Sequence, residues 1–357
     1  MNRYPYYLVS LCALTSPFLY IPRLLLQDRY HGAIAAVGIA MLLGVLLSYF
    51  FITSLKPFHE LTLHEILDKH VSHSTKFLIS FLLGLTWLAA GASVLITISF
   101  VIKRFMNPSM NLHVLILCFL IAGCWAALRA TMPILYNLEL WLFITIPILL
   151  FIWIKEMRNE TFSWDAVLTM SDYALKVPSW ELIAVSSFLF TGYISLSITN
   201  GNSRVINKMH WIWFIPVIGI IVFSATFFIP IGIHGTQAVD KYVYIGVNTA
   251  DSIQMKFGLI ERGVFLYLLC YIILSLLFIV MSWHVALKWM GGAFNNYSVN
   301  FKRILVGMVS ISVFIYGYYS TEKQVMSLTY SWFTIRFIAE ILLVVLMVRV
   351  KRRLGCE

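Results

Sequence analysis

Two short tripeptides, Thr15-Ser16-Pro17 and Thr191-Gly192-Tyr193, interrupt apolar runs that are otherwise long enough to cross a bilayer. Thr15 and Ser16 carry cap-forming hydroxyls. Pro17 suits the first position of a new half-helix, having no N–H to lose and a preset φ. Gly192 has access to backbone angles closed to other residues. A helix that restarts at Pro17 inside the membrane would expose main-chain N–H groups at the positive end of its dipole, where an unpaired donor costs several kcal/mol. A substrate carboxylate would satisfy them. Two plainer readings stand beside this one: a proline kink whose freed backbone is bonded by Thr15 and Ser16, and a glycine placed for close helix packing. The coincidence of the two breaks favours binding, because inverted-repeat transporters build a midplane pocket from two discontinuous helices in corresponding positions.

Other residues are spaced to line such a pocket. Phe188 and Phe190 precede the second break, Gly84, Trp87, Gly91, Ser93 and Thr97 recur at helical spacing in the third apolar run, and Tyr267, Tyr271 and Ser275 form an i,i+4 series in the eighth. Charges inside apolar runs are costly and normally paired or functional. Arg336 and Glu340 lie one turn apart and suit either a self-contained pair or a gate, whereas Glu139, beside Asn137, has no partner nearby in sequence. Glu139 is therefore read as a protonatable group, an interface contact or a boundary residue. His284 and Lys288 are expected to snorkel at a helix end.

The elements that must hold these residues are membrane helices. The chain is 60% hydrophobic and 12% charged, with a mean hydropathy of +0.85, against roughly 25% charged residues in soluble domains. Ten runs of membrane-crossing length are predicted, at 6–26, 32–54, 77–102, 112–129, 133–154, 180–202, 211–233, 261–285, 304–320 and 327–348. Pro17 and Pro22, with no small-x-small site before Arg23, argue that the first is a retained helix rather than a cleaved signal. Ten spans place both ends on one side, and the tail cluster Arg349, Lys351, Arg352 and Arg353 favours the cytoplasm. The expected organisation is one membrane domain over 1–357, with repeats at 1–155 and 178–349 and a basic tail at 350–357.

The net charge of +10 comes from basic residues scattered at helix ends, which suits lipid headgroups and not nucleic acid. Cys12, Cys118, Cys124, Cys270 and Cys356 have no ligand or disulfide spacing. Thr62-Leu63-His64-Glu65 reads as a capping box opening a short amphipathic helix, with His59, His64, His70 and His73 on a solvated face rather than at a metal. The loops 155–179 and 234–260 are expected to order partly over the opposite mouth, the latter through Ile253, Phe257 and Ile260. No His-Glu-x-x-His motif, nucleophile elbow or acidic metal motif occurs, which argues against an enzyme and against a cofactor.

Phe18-Leu19-Tyr20-Ile21-Pro22-Arg23, Ile260-Glu261-Arg262 and Gln324-Val325-Met326, in that order over nearly the whole chain, resemble the B subunits of spore germinant receptors. These form the endospore germination permease family of the amino acid/polyamine/organocation superfamily. The resemblance implies an all-α LeuT-like five-plus-five inverted repeat with discontinuous helices 1 and 6. It also implies sensing of a nutrient such as an amino acid, sugar or nucleoside in the inner spore membrane, beside a larger A subunit and a lipoprotein C subunit. Members carry a glycine-rich stretch where this chain has Thr15-Ser16-Pro17, so either the preferred nutrient is expected to differ or its binding to be impaired.

Overall fold

The computed structural model describes residues 3–58, 61–198, 212–252 and 262–354. All of its regular elements are helical, and ten membrane segments follow the predicted order. Span 1 is Tyr4–Leu14 continued by Ile21–Gln27, span 2 is Ala33–Leu55, span 3 His73–Phe105, span 4 Leu112–Ala127 and span 5 Thr131–Met157. Span 6 begins as Trp180–Ser187, span 7 runs from Phe214–Phe223 into Ile229–Ala238, and spans 8, 9 and 10 are Gly263–Phe294, Val299–Tyr319 and Glu322–Leu354. Spans 2, 3, 5, 7, 8 and 9 are each long and apolar enough to cross a bilayer as single helices. Spans 1 and 6 are broken, span 4 is a 16-residue helix, and span 10 carries Arg336 and Glu340 within its apolar stretch. Spans 3, 8 and 10 run past their apolar cores, because a helix keeps its own backbone bonded as it passes into the headgroup layer.

Spans 3 and 8 form the centre. Glycines set their approach: a Cβ on Gly84 would meet the Met290 side chain at 2.9 Å, and one on Gly91 would meet Ser282 Oγ and Trp283 Nε1 at 2.5 Å. Trp283 Nε1 donates to the Leu88 carbonyl across that seam at 3.1 Å, and Trp332 Nε1 of span 10 donates to Thr86 O at 2.9 Å. Large apolar side chains such as Leu42, Ile121, Phe143 and Ile311 point outward, as a lipid-facing surface requires. In span 7 a π turn over Ser224–Phe228 leads into Pro230, whose missing N–H and ring a regular turn would not accommodate.

The interfacial helix is Leu63–His70, opened by the predicted capping box: Thr62 N donates to Glu65 Oε2 at 2.6 Å and Glu65 N to Thr62 Oγ1 at 3.4 Å. The solvated face expected for its histidines is corrected at His64, which lies 5.1 Å from the Trp289 ring over Gly292. Burial lowers its pKa to about 4, so it is neutral at pH 7. His59 lies outside the described residues, and no cluster of three metal-ligating side chains occurs among them. His284 is likewise corrected from a snorkelling residue to a buried staple. Its Nδ1 donates to the Ala127 carbonyl at 2.9 Å, which leaves Nε2 to accept from Thr131 Oγ1 at 3.0 Å.

On the face opposite the chain ends, the 155–179 connection forms the helix Trp164–Leu168 and a 3₁₀ turn Thr169–Tyr173. The helix Ile245–Asp251 lies beside span 8, where a Cβ on Gly246 would fall 2.2 Å from Tyr267 Oη. Ile253, Phe257 and Ile260 lie outside the described residues.

Candidate functional site

The first break is a 3₁₀ turn, Ser16–Leu19, and the α-helix resumes at Ile21 rather than at Pro17. Tyr20 makes the joint by adopting the left-handed conformation, φ 60°, an uncommon one for a bulky residue. Pro22, in the first turn of the second half, is the proline that marks the restart. Thr15 does not cap that restart. Its hydroxyl donates backward to the Leu11 and Cys12 carbonyls, at 2.8 and 3.1 Å, and closes the first half-helix. Tyr20 Oη accepts from Thr97 Oγ1 of span 3 at 3.2 Å, while the Ser16 hydroxyl is buried with no hydrogen-bond partner among the described residues.

In span 6, Phe188–Phe190 tightens into a 3₁₀ turn, Thr191 is extended at φ −87°, ψ −171°, and Gly192 takes φ +114° before a second 3₁₀ turn at Tyr193–Ile198. Gly192 serves both an unusual backbone angle and a close helix approach. Its φ excludes a side chain, and a Cβ there would stand 2.8 Å from Val9 Cα of span 1. The second break therefore packs backbone to backbone on the first half-helix of span 1, six residues before the first break begins at Thr15.

A fully buried ion pair ties the second break to span 10. Arg336 Nη1 lies 2.7 Å from Glu340 Oε1, the same oxygen accepts from Thr191 Oγ1 at 2.9 Å, and Arg336 Nη2 donates to Ser187 Oγ at 2.5 Å and to the Ala184 carbonyl at 3.1 Å. The pair is thus not self-contained: it grips the unwound segment from both sides. The guanidinium also lies over the Phe188 ring, 5.3 Å from its centre. Phe188 in turn contacts Phe278 of span 8, whose ring is 6.3 Å from that of Trp87. From span 8, Tyr271 meets Phe18 at 4.8 Å, and the Ser275 hydroxyl is buried without a partner among the described residues.

Three predicted residues fall elsewhere. Phe190 turns away from span 1 into a socket made by Gly44 of span 2 and Gly219 of span 7, where Cβ atoms would lie 2.5 and 2.3 Å from it. Gly91 is occupied by the Ser282 and Trp283 contact of span 8. Glu139 has a partner after all: Arg3 Nη1 lies 2.9 Å from it and Tyr7 Oη 3.5 Å, at the edge of the bundle nearest the chain ends. Sequence reasoning missed Tyr20, Gly44 and Gly219; the only signal the two glycines carry in the sequence is their small size within apolar runs. Above the first break, Pro17, Phe18, Arg23, Gly246 and Tyr267 enclose about 20 Å³, room for a water molecule. The outer cover is closed over the breaks, and Arg23 Nη1 holds it by donating to the Tyr242 carbonyl at 2.8 Å.

Two discontinuous helices in contact at the first and sixth positions of the bundle define a LeuT-type membrane protein. The backbone is similar to that of a Na+-coupled sialic acid symporter solved in a substrate-bound outward-open state, with a TM-score of 0.51 and 15% identity over 98% of this chain and 76% of that one. The model of the spore germination protein family matches residues 5–325, and the chain belongs to that family. No curated protein sequence matches it. It is a multi-pass membrane protein with a germinant-receptor or permease-like role.

Proposed function

We propose that the chain is the nutrient-sensing subunit of a germination receptor. A small germinant such as an amino acid binds in the region of the two breaks, between spans 1, 3, 6 and 8, and stabilises one conformation. That shift passes to a larger A subunit and a lipoprotein C subunit in the inner spore membrane, with both chain ends in the cytoplasm and with the two repeats, 1–155 and 178–349, moving against each other. The observation that carries this reading is the Arg336–Glu340 pair bonded to Thr191 and Ser187. It gives the unwound segment a discrete bonded state, and a ligand that binds a second arrangement better shifts the population between the two. Ser16 and Ser275 offer the ligand buried hydroxyls that have no hydrogen-bond partner among the described residues.

The test is germination of spores lacking this chain, complemented by wild type or by Gly192→Trp, across single amino acids, sugars and nucleosides. Loss of response to one nutrient, restored by wild type and not by the variant, is the expected result. Unchanged germination together with impaired vegetative amino-acid uptake would overturn it.

The second reading is a proton- or sodium-coupled amino acid permease, favoured by similarity to a symporter fold. In that reading Glu340 replaces Glu139 as the first carboxylate to examine, since Glu139 is held by Arg3 at the bundle edge. Labelled uptake into liposomes containing this chain alone, driven by a sodium or proton gradient, separates the two.

A further inference from the structure

A groove of about 630 Å³ opens outward between spans 4, 5 and 8, toward the face that carries the chain ends. Half-buried Leu277 and Val280 of span 8 form its floor. Trp125 and Arg129 of the span 4 end and Asn137 and Trp141 of span 5 form its walls. The walls are fixed, because the His284 staple joins the end of span 4 and the start of span 5 to span 8. Gly123 adds to this by admitting Ile279 within 2.9 Å of where its Cβ would stand.

The polar chemistry of the groove is weighted toward donors, the Asn137 Oδ1 adding an acceptor. Arg129, Trp125, Trp141 and Asn137 all carry N–H donors, none of which has a hydrogen-bond acceptor among the described residues, and no carboxylate lines the space. The Arg129 guanidinium is placed by the Trp125 ring, 4.2 Å from its centre, and by no ion pair among the described residues. Asn137 stands six residues into span 5, about 9 Å below the helix start, where an amide facing hydrocarbon lacks the water that would satisfy it.

We propose that this groove holds one anionic phospholipid. Its phosphodiester meets Arg129, its ester oxygens reach Asn137, and an acyl chain lies on Leu277 and Val280. A cation at the rim, acceptor-hungry donors at greater depth and an apolar floor match the order of groups along such a lipid. A helix from a partner protein offers apolar side chains at the depth of Asn137 and leaves that amide unmet. The inference is independent of what binds at the breaks.

The test is native mass spectrometry of the full chain released from detergent micelles containing phosphatidylglycerol or phosphatidylcholine with the same acyl chains. Wild type is expected to retain one phosphatidylglycerol with roughly fivefold preference, as about 1 kcal/mol per basic residue at the membrane surface implies. Arg129→Gln abolishes the preference, Leu277→Trp lowers retention of both lipids by filling the floor, and Arg353→Gln in the tail changes neither. Equal retention of the two lipids by wild type, or an unchanged preference in Arg129→Gln, overturns the proposal. Should Arg129→Gln fail to fold, photoactivatable phosphatidylglycerol bound to wild type decides. Crosslinks to spans 4, 5 and 8 support the site. Crosslinks elsewhere, or capture of a protein instead of lipid by a photoreactive residue at Trp125 in native membranes, refute it.

Discussion

The break in span 1 and the break in span 6 both interrupt helices that pack on each other, yet different chemistry finishes each. In span 1 the loose ends are handled locally and by neutral groups: Thr15 bonds its own half-helix, and Tyr20 turns left-handed under a single hydroxyl contact from Thr97. In span 6 the turn depends on Gly192 and on a charged group from a distant helix, Glu340, which is itself held by Arg336. The first break is therefore a fixed wall. The second is a bonded latch, whose release requires a charge to find a new partner.

Glu340→Ala should have the largest effect on that contrast. It leaves Arg336 buried without its anion, a change of about 3–5 kcal/mol, read as a large loss of thermal stability in detergent. Arg336→Met combined with Glu340→Leu should recover much of that loss, since an apolar pair can replace a buried ion pair, while nutrient response stays absent. Recovery of response as well would show that the latch has only a structural role. Gly192→Ala comes next. A left-handed alanine costs about 1–3 kcal/mol, and the Val9 backbone blocks its Cβ, so unfolding should move to lower temperature even with the ion pair intact. Thr191→Val removes a hydrogen bond to a charged group, about 1.5–3 kcal/mol, whereas Thr97→Val removes a neutral one near span 1, about 1 kcal/mol. Equal losses at the two sites would erase the distinction between latch and wall. Arg3→Gln should cost under about 1 kcal/mol, because the Arg3 side chain is 60% exposed.

The interfacial helix supplies a pH test away from both breaks. His64 is neutral when folded, with its pKa lowered to about 4 by burial, against 6.5 when free. The unfolded form thus binds more protons between those values, and stability falls as pH drops from about 6.5 to about 4. Thermal unfolding of wild type should show this fall, and His64→Phe should flatten it.

The order and approximate ends of the membrane segments were legible because charge-free runs of bilayer length have few other uses. Both breaks were legible from Pro17 and Gly192, which carry local backbone signals. The restart at Ile21 was not, because Pro17 and Pro22 are both acceptable in a first turn and the left-handed Tyr20 between them carries no composition signal. The partner of Glu139 was hidden for another reason: Arg3 lies 136 positions away, and only the packing of span 1 on span 5 joins them. Phe190 was assigned to the pocket by proximity to Gly192. Its side chain instead follows the vacancy left by two glycines on other helices, a relation that one segment of sequence does not contain.

That socket has a mechanical consequence. Phe190 is held like the ball of a joint between Gly44 and Gly219, so span 6 has little freedom to slide past spans 2 and 7 and is geared to them. Spin labels on spans 2 and 7 should report a separation that changes with nutrient in wild type and stays constant in Phe190→Ala. The outer surfaces of these two helices face the lipid, so the gearing carries an event at the centre of the molecule to its perimeter, within reach of whatever stands beside it in the membrane.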